Sequence, residues 1–284
     1  MTQAADGPIV CGYDGSQDSR RAVAWAAGRA RELGVPLEVI SADRAVGRVV
    51  AFDETARANV EGAMRDQLDD LVRGVPTTYR VIADSPVGAL VEAGRDASAI
   101  VVGSRGLTAR EDFAMGSTSA GVVEHAPRPV IVITPRTPSG PAQGPVVLAA
   151  DGSRASDEAV AFAFAEAERR GTGLRAVHSV EMPRLPGGSQ FDLDRLAESV
   201  IAEDEKTVLD SLAPHEARHP DVDVELILVV GEPAVTIADE ADGASILVTG
   251  SRGHGGFAGL LLGSVSRRLL QTAPCAVAVV RHAH

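Results

Sequence analysis

Short apolar runs alternate with longer amphipathic stretches along the first half of the chain. The apolar runs are rich in Val and Ile and predict β-strands near residues 9–13, 37–40, 78–82, 100–102 and 130–133. The stretches between them carry apolar residues at helical spacing. Strands that alternate with helices in this way are typical of βαβ units around a parallel sheet.

The first helical stretch has start and stop signals that recur in the second half. Ser16 is a favourable N-cap, and Gly34 follows the last position of helical periodicity. In the second half, Ser153 and Gly171 occupy the same places around another helical stretch. We therefore predict helices that begin directly after Ser16 and Ser153.

The two halves also share short sequence motifs. The run PIVCGYDGS at 8–16 recurs as PVVLAADGS at 145–153, and VVGSRG at 101–106 recurs as VTGSRG at 248–253. The first pair is 137 residues apart and the second pair 147, so we predict an insertion in the second copy, around residues 181–190. Self-similarity at a long offset indicates a tandem repeat.

A segment rich in Pro and Gly separates the two copies. The sequence TPRTPSGPAQGP cannot hold a helix or a central strand. We therefore predict a first domain of residues 1–136, a linker of 137–145 and a second domain of 146–284. The 284 residues of the chain are enough for two such domains.

Composition and charge narrow the classes of function. With 39 acidic residues against 27 Lys and Arg, the formal net charge is −12, which disfavours a general nucleic-acid binder. No apolar stretch approaches the roughly 20 residues of a membrane span, and the N-terminal sequence lacks a signal-peptide pattern, so we expect a soluble, cytoplasmic protein. Cys11 and Cys275 lie in apolar runs and are expected to be buried.

A glycine motif follows a predicted strand in each copy and carries the candidate chemistry. It reads Gly-x-x-Gly, nine residues, Gly-Ser, and comprises Gly103, Gly106, Gly116 and Ser117 in the first copy and Gly250, Gly253, Gly263 and Ser264 in the second. A glycine turn lets backbone N–H groups approach phosphate oxygens, and a helix N-terminus adds unpaired N–H groups. The motif predicts an anion site in each copy.

Hydroxyl side chains at the start of the following helix fit the same interpretation. Ser117, Thr118, Ser119, Ser264 and Ser266 can donate hydrogen bonds to phosphate. They can equally serve only as N-caps of that helix. The two roles are compatible.

Other nucleotide-binding and catalytic motifs do not occur in the sequence. The only lysine, Lys206, follows Glu205 in a helical stretch, which excludes a Walker A loop. No G-x-G-x-x-G follows the first strand, no Cys/His set has zinc spacing, and no G-x-S-x-G elbow is present. We expect no metal site made by side chains alone.

Taken together, the motifs resemble those of the universal stress protein family. YDGS and ADGS follow the first strands, GSRG is followed after nine residues by GS, and APRPV or APCAV precedes the last strand. The resemblance covers nearly the whole chain. It implies two tandem five-stranded parallel α/β sheets flanked by helices, Rossmann-like and adenine nucleotide alpha hydrolase-like, with strand order 3-2-1-4-5. In this family the G-2x-G-9x-G-S/T pattern marks members that bind ATP.

The resemblance also implies which residues would hold ATP. In the first copy they are Gly12, Asp14, Ala42, Gly103, Gly106, Gly116, Ser117, Thr118 and Ser119. In the second copy they are Ala149, Asp151, Ser179, Gly250, Arg252, Gly253, His254, Gly263, Ser264, Val265 and Ser266. Asp14 and Asp151 would meet ribose hydroxyls or a phosphate-bound Mg²⁺, or else form only a turn and a helix cap. The backbone at Ala42 and Ser179 would pair with the adenine edge.

The loops within the two motifs differ in charge. The first copy carries Glu111 and Asp112, which would weaken the first site if they face the phosphates. The second copy carries His254, which could contact ATP or be an exposed histidine without a role.

Three classes of function stay open. We favour an ATP-binding regulator of the stress response or of dormancy, without efficient turnover, because the motif offers phosphate binding but no lysine clamp or general base. The alternatives are a slow ATP hydrolase and an interaction scaffold whose glycines only form turns. The resemblance further implies pairing of the last strands, 130–133 and 277–280, within the chain, and it leaves a homodimer open.

Overall fold

The computed structural model describes residues 7–42, 54–106, 115–139, 142–180, 190–253 and 262–282. The chain divides into two compact units, Met1–Pro141 and Ala142–His284. The division falls inside the predicted linker. Each copy of the sequence repeat therefore lies in a unit of its own.

The first unit alternates strands and helices. Its elements are β1 (Ile9–Gly12), α1 (Gln17–Leu33), β2 (Leu37–Ala42), α2 (Glu54–Val72), β3 (Thr77–Ile82), α3 (Pro86–Ala93), β4 (Ala99–Gly103), α4 (Ser117–His125) and β5 (Val130–Ile133). The five strands lie within two residues of the predicted ones.

The second unit repeats this order, with one additional 3₁₀ turn at Arg154–Ser156. Its elements are β6 (Val146–Ala149), α5 (Asp157–Arg170), β7 (Leu174–Val180), α6 (Gln190–Glu216), β8 (Val224–Val230), α7 (Pro233–Glu240), β9 (Ile246–Gly250), α8 (Ser264–Thr272) and β10 (Val277–Val280).

The strand pairs within each unit are parallel. Their order is β3-β2-β1-β4-β5 in the first unit and β8-β7-β6-β9-β10 in the second. The expectation of two separate five-stranded sheets is wrong, because all ten strands belong to one sheet. The order 3-2-1-4-5 thus describes the strands of one unit and not a complete sheet. Apolar patterning marks single strands but carries no signal for where a sheet ends.

The strand order places a crevice beside the first strand of each unit. β2 and β4 flank β1 on opposite sides, and β7 and β9 flank β6 in the same way. The connections that follow β6 and β9 therefore diverge at the carboxyl edge of the sheet. In open parallel sheets, ligands bind at this switch point.

Buried aliphatic strands form the core of each unit. All residues of β4, β5, β9 and β10 are buried, as is typical of parallel strands covered on both faces. Cys11 and Cys275 are buried free thiols, which confirms the expectation for them. Burial raises the pKa of Cys275 to about 12 and that of Cys11 far above its usual range.

The first helices of the two units begin differently. In α1, Ser16 is the N-cap as predicted, and its hydroxyl accepts from the Ser19 N–H at 3.1 Å. In the second unit, Ser153 leads into the 3₁₀ turn, and α5 begins only at Asp157. Ser153 is thus the N-cap of this turn and not of α5, and its hydroxyl makes no cap hydrogen bond, unlike that of Ser16.

The extra length of the second copy lies in a helix. The predicted insertion falls largely on residues 181–189, which are outside the described part of the chain. The following helix, α6, has 27 residues, whereas α2 has 19.

Among the helices of the described ranges, none has the combined length and apolar character needed to cross a membrane.

Candidate functional site

A cleft of about 840 Å³ opens at the carboxyl edge of the second unit. Residues at the ends of β6, β7 and β9 line it, together with the first turn of α8. The predicted site residues of the second copy that lie in the described ranges all line this cleft: Ala149, Asp151, Ser179, Gly250, Arg252, Gly253, Gly263, Ser264, Val265 and Ser266. His254 lies outside the described residues.

The loop after β9 runs close to the carboxylate after β6. A Cβ built on Gly253 would lie 2.5 Å from Asp151 Oδ2. In the first unit, a Cβ on Gly106 would lie 2.5 Å from Asp14 Oδ2. Any side chain at these two glycines would displace the carboxylate, so the same close approach is built into both copies.

The first turn of α8 presents backbone donors to the cleft. Its N-cap is Gly263, which makes no side-chain cap. The first N–H groups of a helix have no acceptor within the helix, and here they belong to Ser264, Val265 and Ser266. All three residues line the cleft, so its wall carries donors and the positive end of a helix dipole.

Neither backbone geometry nor packing against the described residues requires glycine at position 263. Its φ is −68°, which any residue adopts, and a Cβ there would meet Ser251 O at 3.6 Å, an ordinary contact. Gly116, the N-cap of α4, has the same φ, and its Cβ would also find its nearest neighbours at 3.6 Å. A side chain here would instead take up space beside the helix N-terminus.

The serine hydroxyls of the motif divide into two groups. Ser119 and Ser266 are buried and donate to the last carbonyls of β4 and β9, Gly103 O at 2.6 Å and Gly250 O at 2.7 Å. These hydroxyls hold helix to strand, so the expected donation from them to phosphate is corrected. Ser117 and Ser264 are exposed at the first helical position, where their hydroxyls can reach a ligand.

The aspartates after the first strands brace the turns that follow. Asp151 Oδ1 accepts from the Ser153 N–H at 3.0 Å and from the Ser156 hydroxyl at 2.7 Å. Asp14 Oδ1 accepts from the Ser16 N–H at 3.0 Å. The turn-forming role weighed from the sequence is therefore present, while Oδ2 of each aspartate faces the glycine loop.

The first unit repeats the backbone arrangement of the motif. Gly12, Ala42 and Gly103 end β1, β2 and β4, and Ser117 and Thr118 open α4. The motif is further closed by a hydrogen bond from the Gly116 N–H to Ser104 O at 2.8 Å. Glu111 and Asp112 lie outside the described residues, as does the rest of 107–114.

Helices α6 and α7 supply cleft residues that the sequence motifs did not indicate. α6 contributes Val200, Glu203, Asp204 and Thr207, and α7 contributes Pro233 and Ile237. No motif marks the face of a helix that closes over a sheet edge. Among the described residues that line the cleft, three carboxylates (Asp151, Glu203 and Asp204) stand against one guanidinium, that of Arg252.

His178 on β7 is the further cleft residue that sequence reasoning missed. Its Nδ1 lies 2.7 Å from Ala150 O, and its Nε2 lies 3.4 Å from Asp204 Oδ2. The sequence signal that could have indicated it is its place next to Ser179, which the resemblance assigns to the site.

The chain has two α/β units with parallel strands, and each has a crevice at the carboxyl edge beside its first strand. This arrangement defines a tandem protein of the doubly wound class. A profile of the Universal stress protein family matches residues 7–134 and 144–281. The chain belongs to this family.

Known proteins match the chain over its whole length. A universal stress protein of Mycolicibacterium smegmatis is 33% identical and covers 99% of each chain, and one of Mycobacterium tuberculosis is 34% identical and covers 96% of each. The crystal structure of a universal stress protein from Archaeoglobus fulgidus superimposes with a TM-score of 0.65 over 99% of this chain and 98% of that one. At 20% identity, this last likeness supports the fold alone.

Proposed function

We propose that this protein binds ATP and acts as a nucleotide-dependent regulator of the stress response or of dormancy, without efficient catalysis. The observation that carries the proposal is the cleft of the second unit. There the glycine-capped N-terminus of α8, the Gly250–Gly253 loop and Asp151 line one space. Its volume of about 840 Å³ lies in the range of small-molecule sites, roughly 300 to 1,000 Å³.

The chemistry of the cleft suits a phosphorylated ligand. Backbone N–H groups at a helix N-terminus bind phosphate oxygens, and the N-cap Gly263 places no side chain beside them. Apolar side chains of Val200, Pro233 and Ile237 line the same cleft and suit a base. The resemblance in motif and the family membership favour ATP among phosphorylated ligands.

We include Mg²⁺ in the proposal because of the charge of the cleft. Three carboxylates would repel the triphosphate, and Arg252 alone does not offset them. Asp151 could meet a Mg²⁺ carried by the phosphates. Chelation of Mg²⁺ with EDTA is therefore expected to weaken ATP binding by tenfold or more, since one unit charge roughly 4 Å away is worth about 4 kcal/mol at an effective dielectric constant near 20.

The absence of efficient turnover is also part of the proposal. Phosphoryl transfer is accelerated mainly by positioned cations and an oriented nucleophile. The only lysine, Lys206, does not line the cleft and donates to Asp210 at 2.5 Å. The Oδ1 atom of Asp151 is engaged in its own turn. Slow ATP hydrolysis that is lost in Asp151→Asn would argue for the hydrolase alternative.

Native mass spectrometry of the purified chain, followed by calorimetric titration with ATP and Mg²⁺ after removal of carried-over ligand, tests the proposal. We expect two ATP per chain. One ATP per chain would restrict the proposal to a single unit, and the absence of any nucleotide would overturn it in favour of an interaction scaffold.

A further inference from the structure

A histidine–carboxylate contact closes one side of the cleft in the second unit. His178 lies on β7 and Asp204 on α6, and both line the cleft. The His178 side chain is 14% exposed and that of Asp204 is 36% exposed. The contact therefore connects the sheet to the helix that covers the site.

The hydrogen bonds of His178 fix where its protons lie. Nδ1 is 2.7 Å from the carbonyl oxygen of Ala150, which can only accept, so Nδ1 carries a hydrogen. Nε2 then faces Oδ2 of Asp204 at 3.4 Å, and an ionised carboxylate can also only accept. The contact is attractive only while the pair holds a further proton. Without this proton, a lone pair of the ring faces a carboxylate oxygen.

The surroundings of His178 add negative charge to this contact. The charged groups that line the cleft with it are Glu203 and Asp204 on α6, Asp151 after β6 and Arg252 after β9. The other neighbouring elements offer apolar groups, since His178 is in register with Leu228 of β8, and α7 contributes Pro233 and Ile237. A proton on the pair therefore adds positive charge to a cleft lined mainly by carboxylates.

The first unit has a different contact at the corresponding place. Ser41 occupies the position in β2 that His178 occupies in β7, four residues after a strand start that pairs with β1 or β6. The cover helix α2 is instead tied to the sheet by Tyr13 Oη, which donates to Gln67 Oε1 at 2.9 Å. Side chains of these types do not change charge near neutral pH.

We propose that the His178–Asp204 pair makes nucleotide binding in the second unit proton-linked, and that binding in the first unit lacks this link. The inference rests on the proposed function. An anionic nucleotide favours the protonated pair, because the imidazolium attracts its phosphates and keeps α6 against the sheet. Binding therefore takes up a proton, and the affinity of the second unit decreases as pH rises.

Calorimetry of the full chain in two buffers of different ionisation enthalpy and without phosphate, PIPES and imidazole, tests this proton uptake with Mg-ATP as the probe. Gly116→Glu is used to leave only the second site, and Gly263→Glu to leave only the first. With the second site, the observed heat is expected to depend on the buffer in proportion to the protons taken up. The first site reports the proton exchange that belongs to the nucleotide itself.

His178→Gln in the Gly116→Glu background is the decisive variant, because glutamine can still donate to Ala150 O but holds no exchangeable charge. We expect it to remove the excess proton uptake. We also expect binding up to about fivefold weaker than in the Gly116→Glu background, as for a partly exposed ion pair. Asp204→Asn should also lower the excess proton uptake, because the imidazole loses the carboxylate that favours its charged form, and this variant decides the matter if the glutamine variant folds poorly.

The outcomes separate the two proposals. Undetectable nucleotide binding in both single-site backgrounds would overturn the proposed function and this inference with it. Nucleotide binding whose proton uptake is equal in the two units, or is unchanged by both substitutions, would overturn the inference and leave the proposed function intact.

Discussion

At the scale of single residues, the glycines of the motif serve two different needs. Gly106 and Gly253 allow a loop to approach a carboxylate so closely that a Cβ would lie 2.5 Å from its oxygen. Gly116 and Gly263 meet no such constraint from the residues that the structure describes, since φ is −68° and the neighbouring atoms lie 3.6 Å or more from a Cβ. The close approach to a carboxylate accounts for the first pair, whereas the proposed phosphate would account for the second.

Gly263→Glu is therefore expected to abolish nucleotide binding in the second unit without unfolding it. The carboxylate would occupy the phosphate position, while the backbone accepts the residue at a stability cost of about 1 kcal/mol for a less favourable N-cap. Gly116→Glu should act likewise in the first unit. Calorimetric stoichiometry and thermal melting measure the two effects.

Gly62→Glu is the matched control for these substitutions. A Cβ at Gly62, in α2, has no atom within 4 Å, so the same change should leave binding intact. Unaltered stoichiometry in both motif variants would remove the phosphate assignment.

The two serines of α8 allow a second prediction at this scale. Ser264→Ala should weaken nucleotide binding by about 0.5 to 1.5 kcal/mol, for one neutral hydrogen bond, and leave stability unchanged. Ser266→Ala should lower the free energy of unfolding by about 0.5 to 1.5 kcal/mol, because Gly250 O loses the shorter of its hydrogen bonds from Ser266 and Thr249. Denaturant melts and titrations of both variants measure these effects. A loss of stability in the first variant would indicate a structural role for Ser264 as well.

At the scale of helices and strands, the sequence predicts the parts that depend on local pattern. Val- and Ile-rich runs place the strands of the first unit within two residues, and Gly34 and Gly171 end α1 and α5 in the left-handed conformation, at φ 67° and 62°. The start of α5 differs from its prediction because Ser153, unlike Ser16, makes no side-chain cap, and a 3₁₀ turn precedes the helix.

The candidate site divides in the same way between what the sequence predicts and what it does not. The glycine motif and the aspartate after the first strand are short, repeated patterns, and the cleft brings them together in the second unit. Asp204 and Ile237 belong to helices whose cleft-facing side is decided by packing against the sheet. Helical periodicity shows which residues share a face, but it does not show that this face borders a cleft.

The two cysteines give a prediction for the strands that hold them. Since the thiolate is the reactive form, a pKa raised by burial makes Cys11 in β1 and Cys275 before β10 inert in the folded protein. At pH 8, Cys275 should carry roughly a thousandfold less thiolate folded than unfolded. Thiol labelling should follow unfolding of the unit, and rapid labelling of the native chain would contradict the burial.

Alkaline pH should act on the same two groups in a fixed direction. A thiol whose folded pKa is raised above its unfolded value favours the folded state below that unfolded value, 9.0 for both thiols. The advantage decreases as pH rises from there towards the folded value, about 12 for Cys275. Below pH 9, the melting temperatures of the wild type and of Cys275→Ala should therefore show the same pH dependence. Between pH 9 and about 12, the melting temperature of the wild type should decrease more than that of the variant.

At the scale of the whole molecule, the duplicated motif predicts that the two nucleotide sites act independently in occupancy. The two sets of predicted site residues share no member and lie in different units, Met1–Pro141 and Ala142–His284. Effects of changes without shared partners usually add. Native mass spectrometry should therefore find two ATP on the wild type, one on Gly116→Glu or Gly263→Glu, and none on the double variant. If one substitution empties both sites, occupancy is coupled between the units, and the sites of this tandem chain form a cooperative pair.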